Sequence, residues 1–171
     1  MSSQRRRAAT AVAMTLILGS LVGCASAVPM RPADDAVNPQ CAEIIVRLPD
    51  VIDDHAQRET DAQATGAWGD PAVILLTCGV PVPGPSTDRC ITIDGIDWLV
   101  DATDPDLGVF TTYGRDPAVR VVVDLVTSDS NALNALSNAV GSAPVTGACT
   151  NPEDASTGGD AVLRPDAPAA P

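Results

Sequence analysis

Four cysteines, Cys41, Cys78, Cys90 and Cys149, constrain this 171-residue chain more than any other feature. An even set of cysteines in an oxidising compartment suits two disulfides, with three connectivities to choose from. Aromatic side chains are only 2% of the residues, so a core must be built from Val, Ile, Leu and Ala. Such a core lacks the large buried areas that Trp and Phe bring, and cross-links then carry an unusual share of the stability. A short closed loop is worth about 3 kcal/mol and one of a hundred residues nearer ~4.7 kcal/mol. Cys78 and Cys90 enclose the Gly- and Pro-rich run Gly79-Val80-Pro81-Val82-Pro83-Gly84-Pro85, which reads as a turn between two strands. Pairing these two is geometrically easy and leaves Cys41 with Cys149. Four free buried thiols are the rival reading.

The fifth cysteine speaks to the compartment. Arg5, Arg6 and Arg7 precede an apolar stretch from Ala8 to Val22. At roughly 15 residues, that stretch is shorter than the ~20 that a bilayer-spanning helix needs, and the combination has the shape of a secretory signal. Leu21-Val22-Gly23-Cys24 closes it and resembles the lipobox of bacterial lipoproteins. That resemblance implies a diacylglyceryl group on Cys24, which becomes the mature N-terminus. Two acyl chains anchor stably at about 0.8 kcal/mol per buried CH₂. The alternatives are cleavage after Ala25-Ser26-Ala27, which releases a soluble protein, and an uncleaved membrane helix, which the length disfavours.

The expected organisation is a signal peptide over 1–23, the lipidated Cys24 with a flexible tether over 24–38, one folded domain over 39–149, and a disordered acidic Pro/Ala-rich tail over 150–171. A 14-residue flexible coil has an end-to-end distance of about 20 Å. The net charge of −12 rests on 22 acidic side chains against 10 basic ones, every one an Arg. Removing the signal peptide takes three of those Arg and no acid. So acidic a surface excludes nucleic acid as a partner and gives no electrostatic route to anionic lipid. The expected partners are the membrane, through the lipid anchor, and another envelope protein.

Within the domain, Pro39 opens a short helix through Glu43, Ile44, Ile45 and Arg47, and Pro49 ends it. Residues 50–66 read as polar and irregular. The run Ala72-Val73-Ile74-Leu75-Leu76-Thr77 has the pattern of a buried strand. Asp94-Gly95 lies between two β-forming stretches and predicts a hairpin with a type I′ turn. Residues 109–113 and 119–126 supply two more strands. Leu133, Leu136 and Val140 mark one stripe of a second helix over about 131–140, capped by Ser128, Asp129 or Ser130 and stopped by Gly141. The fold class is therefore α+β: about five mostly antiparallel strands covered on one face by an N-terminal and a C-terminal helix, stapled by two disulfides.

Trp68-Gly69-Asp70-Pro71-Ala72-Val73, Cys78-Gly79-Val80-Pro81, Gly95-Ile96-Asp97-Trp98 and Thr112-Tyr113-Gly114-Arg115 follow one another in a fixed order. In these motifs the chain resembles actinobacterial envelope proteins classed as a domain of unknown function, over roughly residues 39–145. The resemblance implies a secreted or membrane-anchored protein and no established activity.

The same motifs carry the candidate ligand-binding residues: Trp68, Asp97, Trp98, Tyr113 and Arg115. A small groove lined by the aromatics, with Arg115 on an anionic group, is one reading. The other has the aromatics nucleating an aliphatic core while Arg115 pairs with Asp97 or Asp70. Asp101, Asp104, Asp106 and Gly108 offer hard oxygen ligands, but the spacing does not match an EF-hand loop, so no metal is expected. His55, the single His, lies beside Asp53 and Asp54 in a polar stretch, and no Gly-x-Ser-x-Gly elbow occurs anywhere in the chain. No cofactor loop occurs either. The chain is expected to be non-enzymatic: an interaction or structural module docking through a sheet face or edge, or alternatively a binder of a small anionic envelope ligand.

Overall fold

A computed structural model describes residues 26–128 and 131–150. The expected signal peptide, Cys24 and residues 151–171 of the expected tail lie outside the described residues.

The described residues form one eight-stranded antiparallel sheet and two short helices. In chain order these are α1 (Pro39–Ile45), β1 (Val51–Ile52), β2 (His55–Arg58), β3 (Thr65–Trp68), β4 (Ile74–Val80), β5 (Arg89–Ile93), β6 (Ile96–Asp101), β7 (Leu107–Tyr113), β8 (Ala118–Asp124) and α2 (Ala132–Val140). The sheet order is β1-β2-β3-β4-β8-β7-β6-β5. Two four-stranded meanders are therefore zipped together where β4 meets β8. The Asp94-Gly95 turn has positive φ at both residues, as a type I′ hairpin requires.

Both helices lie on the same face of the sheet. Directly paired residues of an antiparallel sheet share a face, and the rows beneath the helices run Trp68, Ile74, Val123 and then Leu76, Val121, Phe110. Cys78 beside Val119, and Trp98 beside Thr112 and Ile91, complete this face. Ile44 of α1 and Leu136, Ala139 and Val140 of α2 close over these rows as one fully buried cluster. Asn38 caps α1 by accepting from the Gln40 N–H at 3.0 Å, with Pro39 at its first position. Gly141 ends α2.

Three expectations need correction. The sheet has eight strands rather than about five, because residues 50–66 supply β1, β2 and β3. The first is two residues long, with Ile52 in the core, and the second is a polar stretch without apolar alternation. The third is buried on both faces and built largely of small residues, so it reads as loop.

The cysteines pair as Cys41–Cys78 and Cys90–Cys149, not Cys78–Cys90 and Cys41–Cys149. The Gly/Pro segment is no hairpin turn. It carries the chain from β4 across to the far edge at β5, four strand positions and about 19 Å away, whereas a disulfide needs Cα atoms within ~7 Å. Cys78 points down from the covered face onto α1.

The expected tether is also fastened to the domain. Val28 bridges Thr60, and Asp35 N–H donates to the Gly79 carbonyl at 3.2 Å. Gly79 sits at a bulge in β4 with φ +86°, and a Cβ there would collide with the Asp35 backbone.

Candidate functional site

The five residues expected to surround a groove do not converge. Trp68 and Trp98 are both fully buried beneath the helices, on β3 and β6, four strand positions or about 19 Å apart. The Trp68 indole N–H donates to the Pro49 carbonyl at 2.9 Å and ties the end of the α1 segment to β3. The Trp98 indole N–H meets no acceptor among the described residues. Both side chains are core.

Arg115 is 7% exposed. Its Nη1 donates to the carbonyls of Ala143 at 2.7 Å and Gly141 at 3.2 Å, and its Nη2 to that of Gly95 at 3.4 Å. The guanidinium thus clasps the end of α2 to the β5–β6 turn. Neither Asp97 nor Asp70 is its partner: Asp70 pairs with Arg58 at 2.8 Å, and Asp97 accepts from the Thr92 hydroxyl at 2.6 Å and the Cys149 N–H at 2.7 Å. Buried and with both terminal nitrogens bonded to carbonyls, Arg115 serves here as a clasp within the fold. Beside it, Gly114 (φ +65°) accepts from the N–H groups of Thr146 and Gly147, so close that a Cβ would strike Gly147.

Tyr113 and Asp97 do come together, as direct partners on β7 and β6. They lie on the face that carries no helix. There Tyr113, Leu99 and the Cys90–Cys149 disulfide form the floor and one wall of a cleft of about 350 Å³, with Ser86, Thr87 and Asp88 opposite. The cleft is polar, and its one lining carboxylate, Asp88, accepts from Ser86 Oγ at 2.7 Å. From the cleft the same face continues as two rows: Leu75, Val122, Val109, and Thr77, Arg120, Thr111, the second of which ends at Leu99 in the cleft. All of these side chains but the exposed Arg120 are half-buried.

Sequence reasoning missed Ser86, Thr87, Asp88 and Leu99. The first three follow the Gly/Pro run Gly79–Pro85 in the segment that crosses to β5, and no local pattern announces which distant strands a crossing segment will overlie.

The acidic loop after β6 serves its own backbone. Asp101 accepts from the Thr103 N–H at 3.0 Å and from its hydroxyl, and these bonds hold the Asp101 carboxyl below its ordinary pKa. Asp104 accepts from the Asp106 N–H at 2.9 Å. Among the described residues no group of three His, Cys, Asp or Glu side chains is placed to hold a metal ion. No helix among them is long and apolar enough to cross a membrane.

No curated protein and no solved structure matches the chain. A family model does, across residues 8–147, which takes in both meanders, both helices and the cleft's strands. The chain belongs to the family described as Protein of unknown function (DUF3515).

Proposed function

We propose that the protein is a lipid-anchored extracytoplasmic lipoprotein whose domain is a non-enzymatic interaction or structural module of the cell envelope, docking through the helix-free sheet face. The observation that carries the docking surface is the partly accessible stripe Leu75, Val122, Val109, flanked by threonines and Arg120. Aliphatic and threonine side chains on a sheet face without helices offer a partner apolar area with little side-chain entropy to lose. Anchoring rests on the sequence Leu21-Val22-Gly23-Cys24. Two disulfides agree with an oxidising compartment outside the cytoplasm.

The test has two parts. Mass spectrometry of the mature N-terminus should find acylated Cys24, and an unmodified Val28 start would sink the anchor. Val122→Arg should then leave the circular dichroism and melting behaviour of the domain intact while abolishing co-purification of its envelope partner. Unchanged capture would contradict docking through this face.

The cleft supports a second reading, as a pocket for a small ligand, since about 350 Å³ falls within the size of ordinary ligand pockets. Asp88 on its wall and the commitment of Arg115 elsewhere favour an uncharged or cationic ligand over the anionic one expected from the sequence.

A further inference from the structure

The segment expected to be a free tether has a bearing on how an anchored domain stands. Arg58 is its clasp. The Arg58 Nη2 donates to the Ser26 carbonyl at 2.9 Å, while its Nη1 holds the Asp70 carboxylate at 2.8 Å and the Gly69 carbonyl at 3.2 Å. Further along, the Val28 N–H donates to the Glu59 carbonyl at 2.8 Å, and the Asp61 N–H to the Val28 carbonyl at 3.2 Å. The Met30 N–H donates to Asp61 Oδ1 at 2.7 Å. These bonds begin two positions after Cys24, and two residues of fully extended chain reach only about 7 Å.

Resting on the proposal that Cys24 is acylated, we infer that the domain stands directly on the headgroup layer of the bilayer that holds its lipid. Its foot is the corner of the sheet formed by the β1–β2 turn and residues 69–72. That corner carries Asp53, Asp54 and Asp70, the last with its side chain 84% exposed. Anionic headgroups repel such a surface, so the short covalent leash and the Arg58 clasp impose the contact. A 14-residue coil would instead let the domain drift about 20 Å away. The cleft's strands β5 to β7 lie across the sheet from this foot, β6 being about 19 Å from β3 in strand steps. The foot therefore leaves the cleft uncovered.

The test uses the full-length protein, extracted from its own membrane and reconstituted into phosphatidylcholine vesicles containing a headgroup-attached nitroxide quencher. A fluorescent amino acid is placed at Ala56, an exposed residue of β2 near the foot, or at Thr87, an exposed residue on the cleft wall. Mass spectrometry of the same samples reads the N-terminus. Quenching should be severalfold stronger at position 56 than at 87. Inserting six Gly/Ser residues between Ala25 and Ser26, which leaves every bond of the fold in place, should abolish that difference. Arg58→Ala should reduce it. Acylated protein with equal quenching at the two positions overturns the foot and leaves the anchor standing. Protein without an acyl group overturns the anchor and the foot together.

Discussion

The two faces of the sheet are made from the same strands and have opposite chemistry. Beneath the helices lie Trp68, Trp98, Ile74, Leu76, Val119, Val121 and Val123, all nearly or fully inaccessible. On the other side Leu75, Val109 and Val122 share the surface with Thr77, Thr111, Tyr113 and Arg120. Alternation along each strand produces the division, since neighbouring side chains point to opposite faces. The covered face is a core that tolerates little change, whereas the open one is a surface with room to recognise something. Both tryptophans fall on the covered face, so their part in these motifs is packing.

The largest effect should come from emptying the covered face. Trp68→Ala and Trp98→Ala should each cost about 3–5 kcal/mol in urea denaturation. The two indoles should separate under Trp→Phe. Trp68→Phe also leaves the Pro49 carbonyl without its donor, so it should cost about 1 kcal/mol more than Trp98→Phe. Equal costs would break that distinction.

Replacing Cys41 and Cys78 together by Ala, which releases α1 from β4, should cost about 2–5 kcal/mol. A disulfide map of the intact chain should recover Cys41–Cys78 and Cys90–Cys149. Arg115→Met strips the α2 end of its clasp and should cost about 2–3 kcal/mol, as expected for hydrogen bonds from a charged group. Full stability in that variant would return Arg115 to the list of ligand-binding residues.

On the open face, Val122→Thr should shift stability by no more than about 1 kcal/mol. The smallest effect belongs to Asp101. Thr103→Val removes the hydroxyl bond, so the Asp101 carboxyl should titrate closer to its ordinary value by NMR. The sign follows from linkage: a carboxyl whose folded pKa is depressed contributes stability above its unfolded pKa and loses it as pH falls through the folded one. Thr103→Val should therefore weaken the acid-side loss of stability.

The half of the molecule from β5 to α2 was legible because its signals are local. Asp94-Gly95 specifies its turn through positive φ, and Leu133, Leu136 and Val140 mark the face that α2 buries. In the half from residue 26 to β3 only α1 was legible, opened by Pro39. β1 is only two residues long, β2 is polar, and β3 is built largely of small residues, as in Thr65-Gly66-Ala67, where a Cβ on Gly66 would meet Leu48 and Trp68. The disulfide pairing was misjudged for a related reason. Closeness in sequence favours Cys78 with Cys90, but the order of strands in the sheet is a long-range property that puts them at separate positions. The cleft was hard to foresee for the same reason: Tyr113 lines it, but the Ser86–Asp88 wall depends on where a crossing segment comes to rest.

The contrast between the faces is tested most directly by residue-specific photo-crosslinking of the anchored protein in its native envelope. A photoreactive amino acid at Val122 samples the open face, and one at Asn138, exposed on α2, samples the helix side. A discrete adduct from position 122, lost on adding Val109→Arg and absent from position 138, is the predicted result. Adducts of equal yield from both positions, or from 138 alone, would contradict the assignment of the open face as the docking surface.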